Sequence, residues 1–145
     1  MTGFLGRYEH QLDDKGRVSL PSAFRREAEG DRFVLLQWEK PYLTLFTADH
    51  WQTVQKRLID FRRSRPDAWH QVRAVASRAV EVVPDKQGRI LIPAWFKEAA
   101  GLVDAVLMNG NVDRVEIWSP DTFRATVDEA AASDEMDAFK HDLFG

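Results

Sequence analysis

The sequence predicts an α+β fold in which one β-rich unit occurs twice, with helices between and after the two copies. The segment from Asp13 to Pro21 recurs 72 positions later, from Asp85 to Pro93, with the pattern Asp-x-x-Gly-Arg, apolar, any residue, apolar, Pro. Short apolar runs bounded by turn residues indicate strands, and apolar residues three or four apart indicate helices. Because a solenoid needs at least about three units, two copies favour a pair around a pseudo-two-fold axis.

The repeat extends well beyond this motif. Positions 8–51 and 80–123 align without gaps, and 10 of the 44 pairs are identical, where chance would give about 2 or 3. The same offset pairs Val34-Leu35 with Val106-Leu107. We therefore expect four segments along the chain. They are a first repeat at 7–53, a helical connector at 54–78, a second repeat at 79–122 and C-terminal helices at 123–145.

Each copy is expected to contain a β-hairpin, a short helix and two further strands. In the first copy these are strands at 8–12 and 17–20, a helix at 23–29, and strands at 33–37 and 43–46. In the second copy they are strands at 80–83 and 89–92, a helix at 94–100, and strands at 106–108 and 115–118. Asp13 to Gly16 forms the first hairpin turn, because Asp accepts backbone hydrogen bonds and Gly tolerates a positive φ. Asn109-Gly110-Asn111 is a strong signal for a turn between the last two strands.

Helices are expected at the remaining positions. Ser22 is a suitable N-cap for the first short helix, and Asp49 and Asp67 for the two connecting helices, which Pro66 separates. The connecting helices each place apolar residues on one face, which should be buried. These residues are Trp51, Val54, Leu58 and Phe61 in the first helix and Trp69, Val72, Val75 or Ala76, and Ala79 in the second. The C-terminal helices carry Phe123 and Val127, then Met136, Phe139 and Leu143.

Composition narrows the class of protein. The chain has 145 residues and no Cys, which excludes disulfides, thiolate metal sites and Cys nucleophiles and fits a reducing cytoplasm. No apolar run approaches the ~20 residues that span a bilayer, and the first residues show no signal-peptide pattern. Net charge is −3, but residues 52–78 sum to +5 and residues 119–145 to −5. This asymmetry is typical either of two solvated amphipathic helices or of a basic working face with an acidic tail.

Arg17 and Arg89 are the main candidates for a binding site. An Asp-x-x-Gly turn needs its Asp and its Gly (Asp13 with Gly16, Asp85 with Gly88), but turn geometry does not require Arg after Gly in both copies. One structural explanation is that each Asp braces its loop by pairing with the Arg. A functional one is that the guanidinium fork also binds phosphate or the O6/N7 edge of guanine.

Further basic residues extend this candidate surface. They are Lys15, Lys86, Arg7 and Arg25. A paired hairpin surface of this kind could enter a DNA major groove, which admits a two-stranded β-ribbon.

Enzyme and metal chemistry find little support. The histidines His10, His50, His70 and His141 have no partners at metal-binding spacing, and the acidic run from Asp134 to Asp137 is typical of a helix start. The chain contains no nucleophile elbow, P-loop or dinucleotide fingerprint. We therefore expect neither catalysis, nor a cofactor, nor a metal site.

Two groups of residues resemble the two halves of the bacterial MraZ transcriptional regulators. The first group is Phe4-Leu5-Gly6, Tyr8-Glu9-His10, Leu12-Asp13-Asp14-Lys15-Gly16-Arg17 and Pro21. The second group is Asp85-Lys86-Gln87-Gly88-Arg89-Ile90-Leu91-Ile92-Pro93, Ala100-Gly101-Leu102 and Glu116-Ile117-Trp118. The resemblance implies that each half is an AbrB-like element and that the two interleave as a swapped-hairpin, double-psi-type β-barrel with pseudo-two-fold symmetry.

The resemblance also implies a function. Members of this family form rings, commonly of eight or more subunits, and bind short G-rich direct repeats in the promoter of the division and cell-wall gene cluster, usually as repressors. The protein is then cytoplasmic and associated with the nucleoid. The family's DNA-contacting Arg corresponds to Arg17 and, by repeat, to Arg89, and its motif Asp to Asp13 and Asp85. The alternative is an AbrB-like, antitoxin-type protein-interaction module for which DNA binding is secondary, with exposed Trp38 and Tyr42 and the acidic tail as contacts.

Overall fold

The computed structural model describes residues 3–145 as an antiparallel α+β fold. The strands are β1 (Arg7–Gln11), β2 (Arg17–Ser19), β3 (Phe33–Leu36), β4 (Leu43–Thr47), β5 (Val80–Val82), β6 (Arg89–Leu91), β7 (Ala105–Asn111) and β8 (Arg114–Trp118). The helices are α1 (Ser22–Glu27), α2 (Ala48–Ser64), α3 (Trp69–Arg78), α4 (Ala94–Ala99), α5 (Pro120–Phe123), α6 (Glu129–Ala131) and α7 (Asp134–Phe144). A 3₁₀ turn at Pro66–Ala68 precedes α3, and a π-helical turn at Arg124–Asp128 joins α5 to α6.

The two copies exchange strands. One sheet has six strands in the order β1-β7-β8-β4-β3-β5, and a second sheet pairs β2 with β6. The expected turn forms, with Gly16 N donating to Asp13 O at 3.1 Å. The expected hairpin is wrong, however, because β1 pairs with β7 and β2 pairs with β6 of the other copy. The exchange places Val18 and Ile90, both fully buried, opposite each other in the core.

The registers of two strand pairs are symmetric between the copies. In the β2–β6 pair Val18 lies opposite Ile90, flanked by the pairs Arg17–Leu91 and Ser19–Arg89. In the β4–β8 pair Thr44 lies opposite Glu116. In both cases the two central residues occupy equivalent positions of the repeat, which is the register that a pseudo-two-fold axis between the strands requires.

One strand of the repeat is shifted by a residue relative to the ungapped alignment. Tyr8 pairs with Met108, while Val80, its counterpart in the second copy, pairs with Leu35. The structure therefore equates Leu35 with Met108 and not with Leu107, so the second copy contains one extra residue before β7. Leu35 and Met108 both face the main core. Because side chains alternate across a strand, shifting the register of β7 by one residue would turn Met108 outward.

Asn109-Gly110-Asn111 is not the expected turn. These residues lie within β7, and Val112, with a φ of +65°, and Asp113 connect β7 to β8. The two Asn side chains instead donate to the buried carboxylate of Glu116, at 3.3 and 3.1 Å, and Trp118 Nε1 donates to it at 3.1 Å. The Asn residues that are typical of a turn instead donate hydrogen bonds to a buried acid, which explains why the turn prediction was wrong.

The helix starts also differ from expectation. Helix α2 begins at Ala48, and the Thr47 hydroxyl, rather than Asp49, accepts its capping hydrogen bond from His50 N at 3.1 Å. Helix α1 follows Pro21 without a side-chain cap, so Ser22 is its first residue and not its N-cap, and α3 begins at Trp69 without a cap from Asp67. Neither α2 nor α3 contains a fully buried residue, so their apolar faces are wrongly predicted to be core.

The main core lies between the two sheets and the two short helices. Val18 and Ile90 meet Phe24 of α1 and Phe96 of α4 there, all nearly inaccessible to solvent. A smaller cluster formed by Leu107, Trp118 and Phe123 attaches α5 to the large sheet. Within residues 3–145, no helix has the length and apolar character that crossing a membrane requires.

Candidate nucleic-acid interface

The same hydrogen bonds build both Asp-x-x-Gly-Arg loops. Asp13 Oδ1 accepts from the backbone N–H groups of Lys15 and Arg17 at 2.9 and 2.8 Å, and Oδ2 accepts from Arg17 Nε at 2.7 Å. In the second copy Asp85 accepts from Gln87 N, Arg89 N and Arg89 Nε at 2.9, 2.9 and 3.0 Å. The carboxylate thus shapes the loop and orients the guanidinium at the same time.

These hydrogen bonds keep both carboxylates ionised. The backbone N–H of Arg17 is the main cause that lowers the pKa of Asp13, aided by the Arg17 side chain and the Lys15 N–H and opposed by partial desolvation. The backbone N–H of Arg89 likewise lowers the pKa of Asp85. At neutral pH each Arg is therefore held by a negative charge, which favours one side-chain orientation.

The two loops meet on one surface. Arg89 Nη1 lies 3.8 Å from Asp13 Oδ2, the oxygen that also accepts from Arg17 Nε, so both guanidinium groups contact one carboxylate. Because Val18 and Ile90 point into the core, alternation along β2 and β6 turns Arg17, Ser19, Arg89 and Leu91 outward. The exchange of strands therefore brings two Arg residues 72 positions apart onto the outer face of one two-stranded ribbon.

Each Arg retains donors for a ligand. The side chains of Arg17 and Arg89 are 32% and 29% exposed. Their Nε atoms bond to the loop carboxylates, while among residues 3–145 no protein acceptor binds the terminal Nη groups of Arg17. A planar group held at one edge with free donors at the other is suited to phosphate or to guanine.

A comparison with family models then decides the family. The model described as "MraZ protein, putative antitoxin-like" matches this chain twice, at residues 4–74 and 75–143. The chain belongs to the MraZ family. The double match confirms that the chain consists of two tandem MraZ repeats, and the boundary between the matches falls within α3. The description names no catalytic activity.

Lys15 and Lys86 lie at the loop tips of the two MraZ repeats. Lys15 and Lys86 both precede the loop glycines and extend into solvent. The loops are not identical, because Gln87 occupies the position that corresponds to Lys15. The first loop therefore has its Lys one position closer to its Arg, but residues 13–17 have a net charge of 0 and residues 85–89 a net charge of +1, because Asp14 corresponds to Lys86.

Arg25 of the first repeat covers the loop of the second. Arg25 Nε donates to Leu20 O at 3.2 Å, and its guanidinium lies against Gly88 so closely that a Cβ there would stand 2.7 Å from Cζ. Lys97, the counterpart of Arg25, lies against Gly16 of the first loop, with Cδ 3.7 Å from the corresponding Cβ position. Sequence reasoning selected Arg25 but missed Lys97, although the repeat offset pairs the two residues.

Arg7 is engaged elsewhere in this MraZ-family protein. Its Nη1 lies 2.9 Å from Asp128, and its guanidinium lies 4.6 Å from the centre of the Phe123 ring. These contacts join β1 to the C-terminal helices, and neither involves an Asp-x-x-Gly-Arg loop. No group of three or more His, Asp or Glu residues suited to a metal ion occurs in the described part of the chain, residues 3–145.

Proposed function

We propose that this protein is a sequence-specific DNA-binding transcriptional regulator that acts as a repressor of the division and cell-wall gene cluster. It binds G-rich direct repeats and resides with the nucleoid in the cytoplasm. The observation that supports this most directly is the pairing of Arg17 and Arg89 on the outer face of the β2–β6 ribbon, each braced by a carboxylate. Membership of the MraZ family is a second, independent support.

The ribbon is the proposed reading element. A major groove admits a two-stranded β-ribbon, and an Arg that contacts both O6 and N7 of guanine contributes about 1–3 kcal/mol of discrimination. Arg17 and Arg89 would supply these contacts, while Lys15, Lys86, Arg25 and Lys97 surround them as phosphate partners. Arg7, bound to Asp128, would contribute only at the edge of this surface.

Assembly would raise the affinity for DNA above that of a single ribbon. One ribbon with two Arg contacts would bind weakly, but a ring of eight or more subunits presents several ribbons to successive repeats, which raises the effective concentration of each. This accounts for DNA binding by a chain of net charge −3, because the ring would display its basic ribbons on one face.

We further propose that the two sheets close into the swapped-hairpin, double-psi-type barrel of AbrB-like elements. The support is the exchange itself, in which Leu20 N donates to Gly88 O and Ile92 N donates to Gly16 O, both at 2.9 Å. Each loop is thereby attached to the strand that leaves the other loop.

The test compares Arg17→Ala with Arg63→Ala, which removes an exposed Arg of α2 far along the chain from either loop. We expect Arg17→Ala to weaken binding to DNA carrying the upstream repeats at least about tenfold, the loss of one base contact, while assembly stays intact. Replacing a Lys that contacts phosphate should instead lower the slope of log affinity against log salt concentration by about one. Equal affinities for wild type and Arg17→Ala in a mobility-shift assay would contradict the proposed role.

A second candidate is an antitoxin-type protein-interaction module. The antitoxin-like description of the family and the exposed Trp38 favour it. Its complex would be largely insensitive to salt, whereas phosphate-driven DNA binding weakens steeply as salt rises. An affinity for repeat DNA that hardly changes between low and physiological salt would therefore contradict the proposed DNA-binding function.

A further inference from the structure

An apolar groove runs between α2 and the ends of the neighbouring strands. Val54, Leu58 and Phe61 line it on the α2 side, and Trp38 and Phe46 line it on the other, around a volume of about 480 Å³. Phe61 is 49% exposed and Trp38 is 39% exposed. We call this surface the α2 groove. Aromatic residues left this accessible along one cleft are typical of a site for a protein partner.

The surroundings of the α2 groove are basic. Arg57 lines it, and Arg65, which is paired with Asp67 at 3.1 Å, lies with its guanidinium 5.5 Å from the centre of the Phe61 ring. Arg114 also lines it but is paired with Asp113 at 2.8 Å. Residues 52–78, which include most of α2 and all of α3, have a net charge of +5. A partner for this groove should combine apolar side chains with negative charge.

Helix α7 of the same chain has that chemistry. Met136, Phe139 and Leu143 recur at the spacing of one helix face, and Phe139 and Leu143 are 54% and 60% exposed. Four of the other residues of this 11-residue helix are acidic, with Lys140 as its only Lys or Arg; the acids are Asp134, Glu135, Asp137 and Asp142. Helix α7 is thus an amphipathic acidic helix whose apolar face is uncovered in its own subunit.

We propose that α7 of one subunit docks into the α2 groove of the next subunit. An amphipathic helix lying in an apolar groove is a common mode of recognition, with anchors spaced as Met136, Phe139 and Leu143 are. The acidic flanks would meet Arg57 and Arg65, and the contact would cover two apolar surfaces at once. It joins two different surfaces, so it is heterologous and generates a ring when the rotation between subunits closes. This inference rests on the proposed ring assembly and identifies the contact that builds it.

Two variants disable opposite sides of the contact. Phe139→Glu with Leu143→Glu removes the anchors of α7, and Arg57→Glu with Phe61→Glu makes the groove acidic. All four positions are exposed, so the fold should survive, which far-UV circular dichroism checks. The matched control is Lys56→Glu with Ile59→Glu, which makes the same kinds of change on α2 outside the groove lining.

The expected result is specific to a heterologous contact. Each disabled variant alone should have the mass of a 16.7 kDa monomer in light scattering, and the control should assemble like wild type. An equimolar mixture of the two disabled variants should form a dimer and nothing larger, because it contains one intact helix and one intact groove per pair. Full assembly of either disabled variant, dissociation of the control, or a mixture that stays monomeric would overturn the proposal.

Cross-linking provides a measurement that does not depend on loss of assembly. Because the chain has no Cys, Phe61→Cys with Phe139→Cys should yield a ladder of covalent multimers under an added oxidant. A cross-linked monomer would mean that α7 folds onto its own groove, which refutes docking between subunits. A wild-type protein that never assembles would refute the ring itself, whereas DNA binding is judged separately through Arg17→Ala.

Discussion

Replacing Gly88 by Ala should both destabilise the fold and displace Arg25. Gly88 has a φ of +76°, and a Cβ there would stand 2.7 Å from Arg25 Cζ and 2.8 Å from Nη1. Ala in the left-handed region costs about 1–2 kcal/mol. The guanidinium must also move, and losing its hydrogen bond to Leu20 O adds about 1 kcal/mol. The expected loss is about 2–3 kcal/mol.

Gly101→Ala is the control for the backbone contribution. Gly101 also has a positive φ, +64°, but no atom lies within 4 Å of its added Cβ. Gly101→Ala should therefore lower the free energy of unfolding by only about 1–2 kcal/mol. Urea denaturation of the two variants compares these values directly, and we expect Gly88→Ala to be less stable than Gly101→Ala by about 1 kcal/mol.

Repeat DNA provides a second measurement for the same pair of variants. If Arg25 contributes to the proposed interface, Gly88→Ala should weaken DNA binding and Gly101→Ala should not. Equal stabilities of the two variants would refute the reasoning that Arg25 is held against Gly88. A crystal structure of Gly88→Ala in which Arg25 keeps its hydrogen bond to Leu20 would refute it as well.

Two further predictions concern the loops and the ribbon. Because the pKa values of Asp13 and Asp85 are lowered in the folded protein, both ionised carboxylates stabilise the fold above about pH 4. This stabilisation is lost as pH falls through the pKa values of the folded state. Asp85→Asn should therefore flatten the acid side of a plot of Tm against pH, and an unchanged plot would contradict this. Val18→Ala and Ile90→Ala should each lower the free energy of unfolding by about 2–4 kcal/mol. The two losses should not be additive, because the two side chains lie opposite each other. Additive losses in chemical denaturation would argue against that contact.

The loops were predictable because their bonds are local. Asp13 reaches the N–H groups of Lys15 and Arg17, two and four residues away, and a short stretch of sequence contains everything that this geometry needs. The same holds for Asp85. The pairing of Arg with Asp was one of two interpretations left open, and within residues 3–145 it leaves the terminal Nη groups of Arg17 without a protein acceptor, which is compatible with the proposed DNA contact.

The strand partners were not predictable in the same way. Strand β2 has three residues, and its partner β6 lies 72 positions later, so nothing local distinguishes this pairing from a hairpin with β1. The turn predicted at Asn109-Gly110-Asn111 was wrong for a related reason. Both Asn side chains donate to Glu116, whose burial next to them depends on the tertiary structure. The apolar faces of α2 and α3 have the spacing of core residues, but spacing does not say whether the covering surface belongs to the same subunit.

By itself, the sequence determined the duplication, the two Asp-x-x-Gly turns, the resemblance to the family and the presence of Arg17 and Arg89 after the turns. The turns follow from residue identity at short spacing, and the duplication follows from the match between two segments 72 positions apart. Only the tertiary structure decided that the copies exchange strands, that Arg17 and Arg89 share one ribbon face, and that Lys97 joins them while Arg7 does not. The reason is that strand pairing and burial are set by the combined packing of distant segments, and their free energy is not contained in any one of them.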